Sequence, residues 1–291
     1  MTEGLVSWRQ LWDETAALHG RPQARWLCEE ASGAFGNEFL EVVHEHATER
    51  QVAHLDAMLG RLLTGEPLQY VLGHWSFRRL DLLVDRRVLI PRPETELVAG
   101  AAIDLARQWL QQTAERPVRV ADLGTGSGAI GLSLAAELPR GSAEVWLTDV
   151  SLDALDVARA NAAGLGMAGA AARFGHGSWF DALPTSLQGT LAVVVSNPPY
   201  IAHGDERVES SVRDWEPAGA LYADDDGLAD VRTIAAGAAT WLRPGGWLVL
   251  EIGSGQGAAV CDLLVAHGLV GAQVQPDLAG HDRVVLAHRE N

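Results

Sequence analysis

Three groups of residues have the types and spacing to do chemistry. The first is Asn197-Pro198-Pro199-Tyr200, which follows directly on the apolar β-branched run "VVVS". Proline lacks the amide donor that a strand ladder needs, and the residue before a proline is held extended. Two in succession give a stiff, open backbone, which is either a plain strand stop or a rigid frame for hydrogen-bond acceptors. The second group is "VADLGTGSGAI", a strand that turns through Gly124, Thr125, Gly126, Ser127 and Gly128 into a helix. Glycines there permit a tight turn and let a ligand approach the backbone closely. The third is Asp149, at the end of the next strand and 21 residues beyond Gly128, where a carboxylate can accept both hydroxyls of a ribose. The loop alone fits a turn as well as a ligand site. Joined to Asp149, it indicates a ribose-bearing cofactor.

A dinucleotide loop reads G-x-G-x-x-G, with the pyrophosphate on the helix N-terminus. Here the pattern is G-x-G-x-G, preceded by Asp122. A carboxylate beside the loop would repel a pyrophosphate and suit a ligand carrying an ammonium and a sulfonium. S-adenosylmethionine is therefore favoured over NAD.

The elements that must position these groups fall into two regions. From about residue 5 to 64 the pattern is helical. In "ATERQVAHLDAMLGRLLTG", Val52, Leu55, Met58, Leu59, Leu62 and Leu63 recur at three- and four-residue spacing, and Gly65 follows as a stop. The stretch "LQYVLGHWSFRRLDLLVDRRVLIPRP" is rich in aromatic and β-branched residues and reads as a linking β-hairpin. From Glu94 onward short apolar strands alternate with helices, the pattern of a parallel, doubly wound α/β sheet. The "ADDDG" stretch reads as a solvated turn before a helix, with Asp226 near its N-cap. The expected division is a helical module over 1–72, a hairpin linker over 73–93 and a catalytic domain over 94–291.

The glycine loop and Asp149 resemble motifs I and II of class I methyltransferases. The tetrapeptide resembles the signature of methyltransferases acting on planar amino groups, either the exocyclic amine of adenine or an amide nitrogen. Such a nitrogen is conjugated and weakly nucleophilic. The Asn197 side-chain oxygen and the Pro198 carbonyl could each accept one N–H, turning the lone pair toward the methyl group and stabilising the developing positive charge. Pro199 would keep the frame rigid and Tyr200 would pack on the flat face.

The segments "GEPLQYVLGHWSF", "VLIPRPETE", "DLGTGSGAI", "VSNPPYI", "LRPGGWLVLEIG" and "GHDRVV" are similar to those of the protein-(glutamine-N5) methyltransferases of peptide release factors, the PrmC/HemK family. The resemblance covers nearly the whole chain. It implies a Rossmann-like, mostly parallel seven-stranded sheet, an N-terminal helical domain that recognises substrate, and S-adenosylmethionine as methyl donor. The implied substrate is the glutamine of a Gly-Gly-Gln motif in a release factor. By the same resemblance Gly124 to Gly128, Asp149, Trp179 and Asn197 contact the cofactor. Asn197, Pro198 and Tyr200 are the implied catalytic residues, Asn197 to Tyr200 hold the glutamine, and Arg92, Pro93, Glu94 and Thr95 line the same cleft. The segment "GHGSWF" offers no carboxylate to read adenine, so Trp179 either stacks on the base or belongs to the core.

Composition narrows the alternatives. The chain has 291 residues, 47% of them hydrophobic and 21% charged, as in a globular protein with an ample core. Its net charge is −16, which disfavours a polyanion partner; Arg78, Arg79, Arg86, Arg87 and Arg92 cluster in sequence but read as the solvated faces of a hairpin. That charge weighs against a DNA or RNA adenine-N6 methyltransferase. An intact acceptor tetrapeptide weighs against a non-catalytic S-adenosylmethionine-binding module. The two cysteines, Cys28 and Cys261, form neither a CxxC pair nor a histidine cluster. No metal, no membrane span and no signal peptide is expected, and the natural setting is the cytoplasm.

Overall fold

The computed structural model describes residues 6–205 and 207–291; the first five residues of the expected helical module lie outside it. The chain divides into two compact units, with the cut after Gly73. In the first unit five helices follow one another: α1 (Trp8–His19), α2 (Arg21–Ser32), α3 (Asn37–Val42), α4 (Glu49–Leu63) and α5 (Leu68–Leu72). Ser7 and Thr48 cap α1 and α4 through capping boxes with Gln10 and Gln51. The apolar faces meet on a core that includes Trp8, Leu27, Phe39, Leu55 and Met58. Two details depart from the sequence pattern. Leu63 is 81% exposed despite its spacing, because α4 ends there. The "LQYVL" stretch is helical, closed by Gly73 in the left-handed region at φ 82°, so it is no part of the hairpin.

The second unit opens with the hairpin β1 (His74–Phe77) and β2 (Leu80–Leu83), joined by Arg78 and Arg79. After an irregular segment come α6 (Thr95–Gln112), β3 (Val118–Leu123), α7 (Ala129–Glu137), β4 (Ala143–Asp149), α8 (Leu152–Gly164), β5 (Ala172–His176) and β6 (Leu191–Ser196). An excursion follows the tetrapeptide: β7 (Ile201–Ala202), α9 (Ser210–Trp215), β8 (Tyr222–Ala223) and the single turn α10 (Asp224–Gly227). The chain then returns through α11 (Ala229–Trp241), β9 (Leu242–Glu251), α12 (Gly257–Ala266), β10 (Leu269–Pro276) and β11 (Asp282–Arg289).

Seven strands form the main sheet in the order β10-β11-β9-β6-β3-β4-β5. Pairing is parallel from β9 to β5, and β11 runs antiparallel between β9 and β10. Val193, Val194 and Val195 of β6 are all buried, as a central strand covered on both faces requires. One face packs on α6, α7 and α8 through residues such as Val98, Ile103 and Leu132. The other packs on α11 and α12 through Val231, Ile234, Val260 and Leu264. The expected doubly wound architecture is the one observed.

Arg78, Arg86, Arg87 and Arg92 of the hairpin segment make contacts within the unit, whereas Arg79 is exposed. Arg78 pairs with Glu137 at 2.7 Å, Arg87 with Asp85 at 2.6 Å and Arg92 with Glu216 at 2.5 Å, while Arg86 stacks on Trp215 at 4.0 Å. Asn161, buried on α8, ties the hairpin to the glycine loop. Its Oδ1 accepts from Leu83 N at 2.7 Å, and its Nδ2 donates to Leu83 O at 3.1 Å and to Ser127 O at 2.8 Å. Removing the side chain in Asn161→Ala leaves these backbone groups without their partner, at an expected cost of about 1–3 kcal/mol. The urea midpoint should fall with an unchanged slope, and an unmoved midpoint would show the tie to be dispensable.

Candidate active site

The site lies outside the carboxyl ends of β3, β4 and β6, where ligands bind in open α/β sheets. Beyond β3 the chain turns with Gly124, Gly126 and Gly128 at φ 70°, 56° and 87°. These left-handed values suit glycine and strain other residues. A Cβ on Gly128 would lie 2.8 Å from the Leu132 side chain, which would have to shift to make room for it. Asp122 lies beneath the loop, 1% exposed, and its Oδ2 accepts from Thr125 Oγ1 at 2.5 Å and Gly131 N at 2.8 Å. Asp122 Oδ1 is buried without a partner. Burial pushes this carboxyl up to about 7. Asp122 therefore holds the loop from below and does not line the cavity, which differs from the expected carboxylate facing a cationic ligand.

Asp149 ends β4 and faces the loop. Its Oδ2 accepts from Gly126 N at 2.9 Å and its Oδ1 from Ser151 N at 2.9 Å. Burial raises its pKa, and these backbone donors oppose the rise. Each oxygen keeps acceptor capacity for a further donor. Trp179 stands across the loop at φ 45°, with its ring 3.3 Å from the position of a Cβ on Gly124. These residues, with Thr125, Ser127, Ile130, Pro199 and Asp230, line a cavity of about 330 Å³. Trp179 is thus a wall of the cavity and also packs on the edge of the core.

A second cavity of about 580 Å³ adjoins it, lined by Arg92, Tyr200, Asp226, Gly253, Gln256 and Arg283 among others. Asn197 lines both. Its Nδ2 donates to Thr95 Oγ1 at 3.3 Å, which leaves Oδ1 as the free acceptor. Pro198 is buried and lines neither cavity. The Tyr200 hydroxyl donates to Glu251 Oε1 at 3.3 Å. Its carbonyl accepts from Gln256 Nε2 at 3.2 Å, and a Cβ on Gly227 would collide with that carbonyl, so glycine is required at the contact. Asp226 caps no helix: Asp225 and Asp226 are both left-handed, and α11 starts from Leu228 without a side-chain cap.

Sequence reasoning missed several of these residues. Glu216 is buried, accepts Ile90 N at 3.0 Å and pairs with Arg92, tying the "IPRP" segment to the excursion after the tetrapeptide. Glu251 has no exposed surface, and burial pushes it up to about 7. A carboxylate inside the apolar run "WLVLEIG" was the available signal for it. Asp230 and Gln256 carried none, because neither lies in a motif. Among the described residues no cluster of histidine, cysteine and acidic side chains suits a metal ion, and no helix is long and apolar enough to cross a membrane.

This sheet, with its glycine loop and acid-tipped second parallel strand, defines a class I methyltransferase. Residues 96–215 match the methyltransferase small domain and residues 17–73 match the PrmC N-terminal domain. A solved methyltransferase from Pyrococcus furiosus has the same fold, with a TM-score of 0.52 at 15% identity over 81% of this chain and 100% of that one. Release factor glutamine methyltransferase of Neisseria gonorrhoeae is 46% identical over 232 residues, covering 79% of this chain and 80% of that protein. The Bordetella pertussis protein of the same name is 41% identical over 271 residues, covering 91% and 93%. The chain belongs to the release factor glutamine methyltransferase family.

Asp122 supplies a test of the loop support. A carboxyl whose pKa is raised on folding binds its proton more tightly in the native state. Its stabilising contribution is complete below the unfolded value of 3.8 and is lost as pH rises through about 7. Asp122→Asn cannot ionise, so its stability relative to the wild type should improve steadily between about pH 4 and pH 8. Urea midpoints that keep a constant gap across that range would mean the acid is not desolvated.

Proposed function

We propose that this chain methylates the side-chain amide nitrogen of the glutamine in the Gly-Gly-Gln motif of a peptide release factor, with S-adenosylmethionine as donor. The observation that carries this reading is the placement of Asn197, whose free Oδ1 stands where a cofactor-sized cavity meets a larger, open one. The first cavity fits the donor's chemistry. Glycine backbone permits close approach, and Asp149 retains acceptor capacity for ribose hydroxyls. Trp179 offers a ring for stacking on the base. When bound, S-adenosylmethionine supplies an electrophilic methyl group on a sulfonium.

The second cavity takes the glutamine. Asn197 Oδ1 accepts an N–H group of the substrate amide. That contact turns the nitrogen's lone pair toward the first cavity and stabilises the positive charge that grows on it. Pro198 and Pro199 stiffen the backbone that carries Asn197, and Tyr200 bounds the amide's flat face. The extra proton leaves after transfer, so the transfer step needs no general base. The helical unit over residues 1–72 recognises the release factor. The protein works in the cytoplasm, where its two unpaired cysteines stay reduced.

Incubation of the protein with purified release factor and S-adenosylmethionine should add one methyl group, mapped by mass spectrometry to the Gly-Gly-Gln peptide. Duplex DNA should take up none. Asn197→Ala should lower kcat by about 10²–10³-fold with little change in KM, the pattern for a group acting in the transition state. Asp149→Ala should instead weaken cofactor binding by about 1.5–3 kcal/mol in a calorimetric titration. An unmethylated release factor, or Asn197→Ala at full rate, would overturn the reading.

A chain beginning at His74 tests the role given to the helical unit. It should bind the cofactor as the full chain does and methylate intact release factor slowly. Equal rates for the two chains would assign that unit another purpose.

A further inference from the structure

The turn α10 is strained. Asp225 and Asp226 are both left-handed, at φ 56° and 55°, and Gly227 follows at φ 85°. Consecutive non-glycine residues in that region are costly, and such strain persists only where the surroundings dictate it. Here the turn brings bare backbone against the end of the tetrapeptide, since a Cβ on Gly227 would collide with the Tyr200 carbonyl.

Gln256, at the start of α12, meets the same carbonyl. Its Nε2 donates to Tyr200 O at 3.2 Å and approaches Asp226 O at 3.5 Å, while its Oε1 accepts from Gly253 N at 2.8 Å. One side-chain amide thus joins the tetrapeptide, the strained turn and the loop after β9. Its orientation follows from the partners. A backbone N–H only donates and a carbonyl only accepts, so each end of the amide has one side it can face. Just beyond, Ile201 N donates to Leu221 O at 3.1 Å. The backbone is therefore held on both sides of the peptide bond that follows Tyr200. At the far end of the tyrosine, the hydroxyl donates to Glu251 Oε1 at 3.3 Å. Tyr200, Asp226, Gly253 and Gln256 all line the second cavity, and none of them lines the first.

We propose that Gln256 is a positioning residue which, together with the α10 turn, holds the Tyr200 ring at a fixed angle to the substrate amide. The proposal rests on the reading of the second cavity as the place of the glutamine. Support of α12 alone would need only the bond from Gly253 to Oε1. The donation from Nε2, and the strained turn beside it, are directed at Tyr200. A ring fixed at both its carbonyl and its hydroxyl restrains the plane of an amide lying on it, and that restraint is an orientation effect on transfer.

Two variants separate this role from support of α12. Gln256→Glu keeps the shape and the acceptor for Gly253 N, and sets a carboxylate against the Tyr200 carbonyl. Gln256→Met keeps the length and removes both polar ends. Each should lower kcat about 10-fold or more, with KM within about 3-fold and cofactor affinity by calorimetric titration unchanged. A Gln256 that served only Gly253 would leave Gln256→Glu at the wild-type rate, and that result would overturn the proposal. Gly227→Ala pushes on the same carbonyl from the turn and should also lower kcat; a wild-type rate there would remove α10 from the role. In the Tyr200→Ala background, Gln256→Met should cost no more than about 2-fold further, because the group it acts through is gone. Persistence of the whole loss in that background would reject Tyr200 as its target. If Gln256→Glu does not fold, Gln256→Met and its cycle with Tyr200→Ala decide. The wild type assayed alongside separates this idea from the proposed function. Release factor left unmethylated by the wild type rejects both, whereas equal rates for the wild type and Gln256→Met reject only the positioning role.

Discussion

Leu123, the last residue of β3, pairs with Thr148 of β4 on one side and Ser196 of β6 on the other. This register sets Gly124, Asp149 and Asn197 one position beyond aligned strand positions. The rest of the site depends on that alignment. Side chains alternate along a strand, so a slip of one residue would exchange the buried and site-facing positions of β4 or β6. The fully buried β6 resists such a slip because it is covered on both faces, and Asn197 is the first position beyond it at which side-chain chemistry can reach a cavity. The helices that cover the sheet thus protect the register as well as the core.

Two buried acids support the site from behind, Asp122 under the glycine loop and Glu251 under the tetrapeptide. Each has one oxygen without a partner. Burial raises both to about 7, which means that folding disfavours their ionised forms. Such groups are a local conflict with stability, and conflicts of this kind concentrate where a protein needs fixed polar geometry. Asp122 fixes a loop through two donors, and Glu251 accepts the Tyr200 hydroxyl.

The hairpin segment shows how an acidic protein employs its cations. Arg78, Arg87 and Arg92 are each held by a carboxylate of the second unit, and Arg86 lies on Trp215. A cluster that looks basic in sequence becomes a set of fastenings. Arg92 and Glu216 bring the segment before α6 against the excursion after β6, so two segments that contribute to the second cavity are tied by one partly buried ion pair.

The alternation of strand and helix is legible in the residues alone, because burial on both faces leaves continuous β-branched runs and amphipathic helices that can be read locally. The glycine loop, Asp149 and Asn197 to Tyr200 are legible as the chemically active positions for a related reason. Each is marked by residue types that the adjoining element cannot otherwise accommodate. The helical "LQYVL" reads as strand because a five-residue apolar stretch has no length over which periods of 2 and 3.6 separate. Other assignments exist only once the chain is folded: that Asp122 supports the loop from below, that Asp226 caps nothing, and that Asn161, Glu216 and Glu251 serve the site. Asn161 meets residues 78 positions away, Glu216 lies 124 positions from Arg92, and Glu251 lies 51 from Tyr200. Their roles come from burial and from partners brought together by the sheet, and neither is written in the spacing of neighbouring residues.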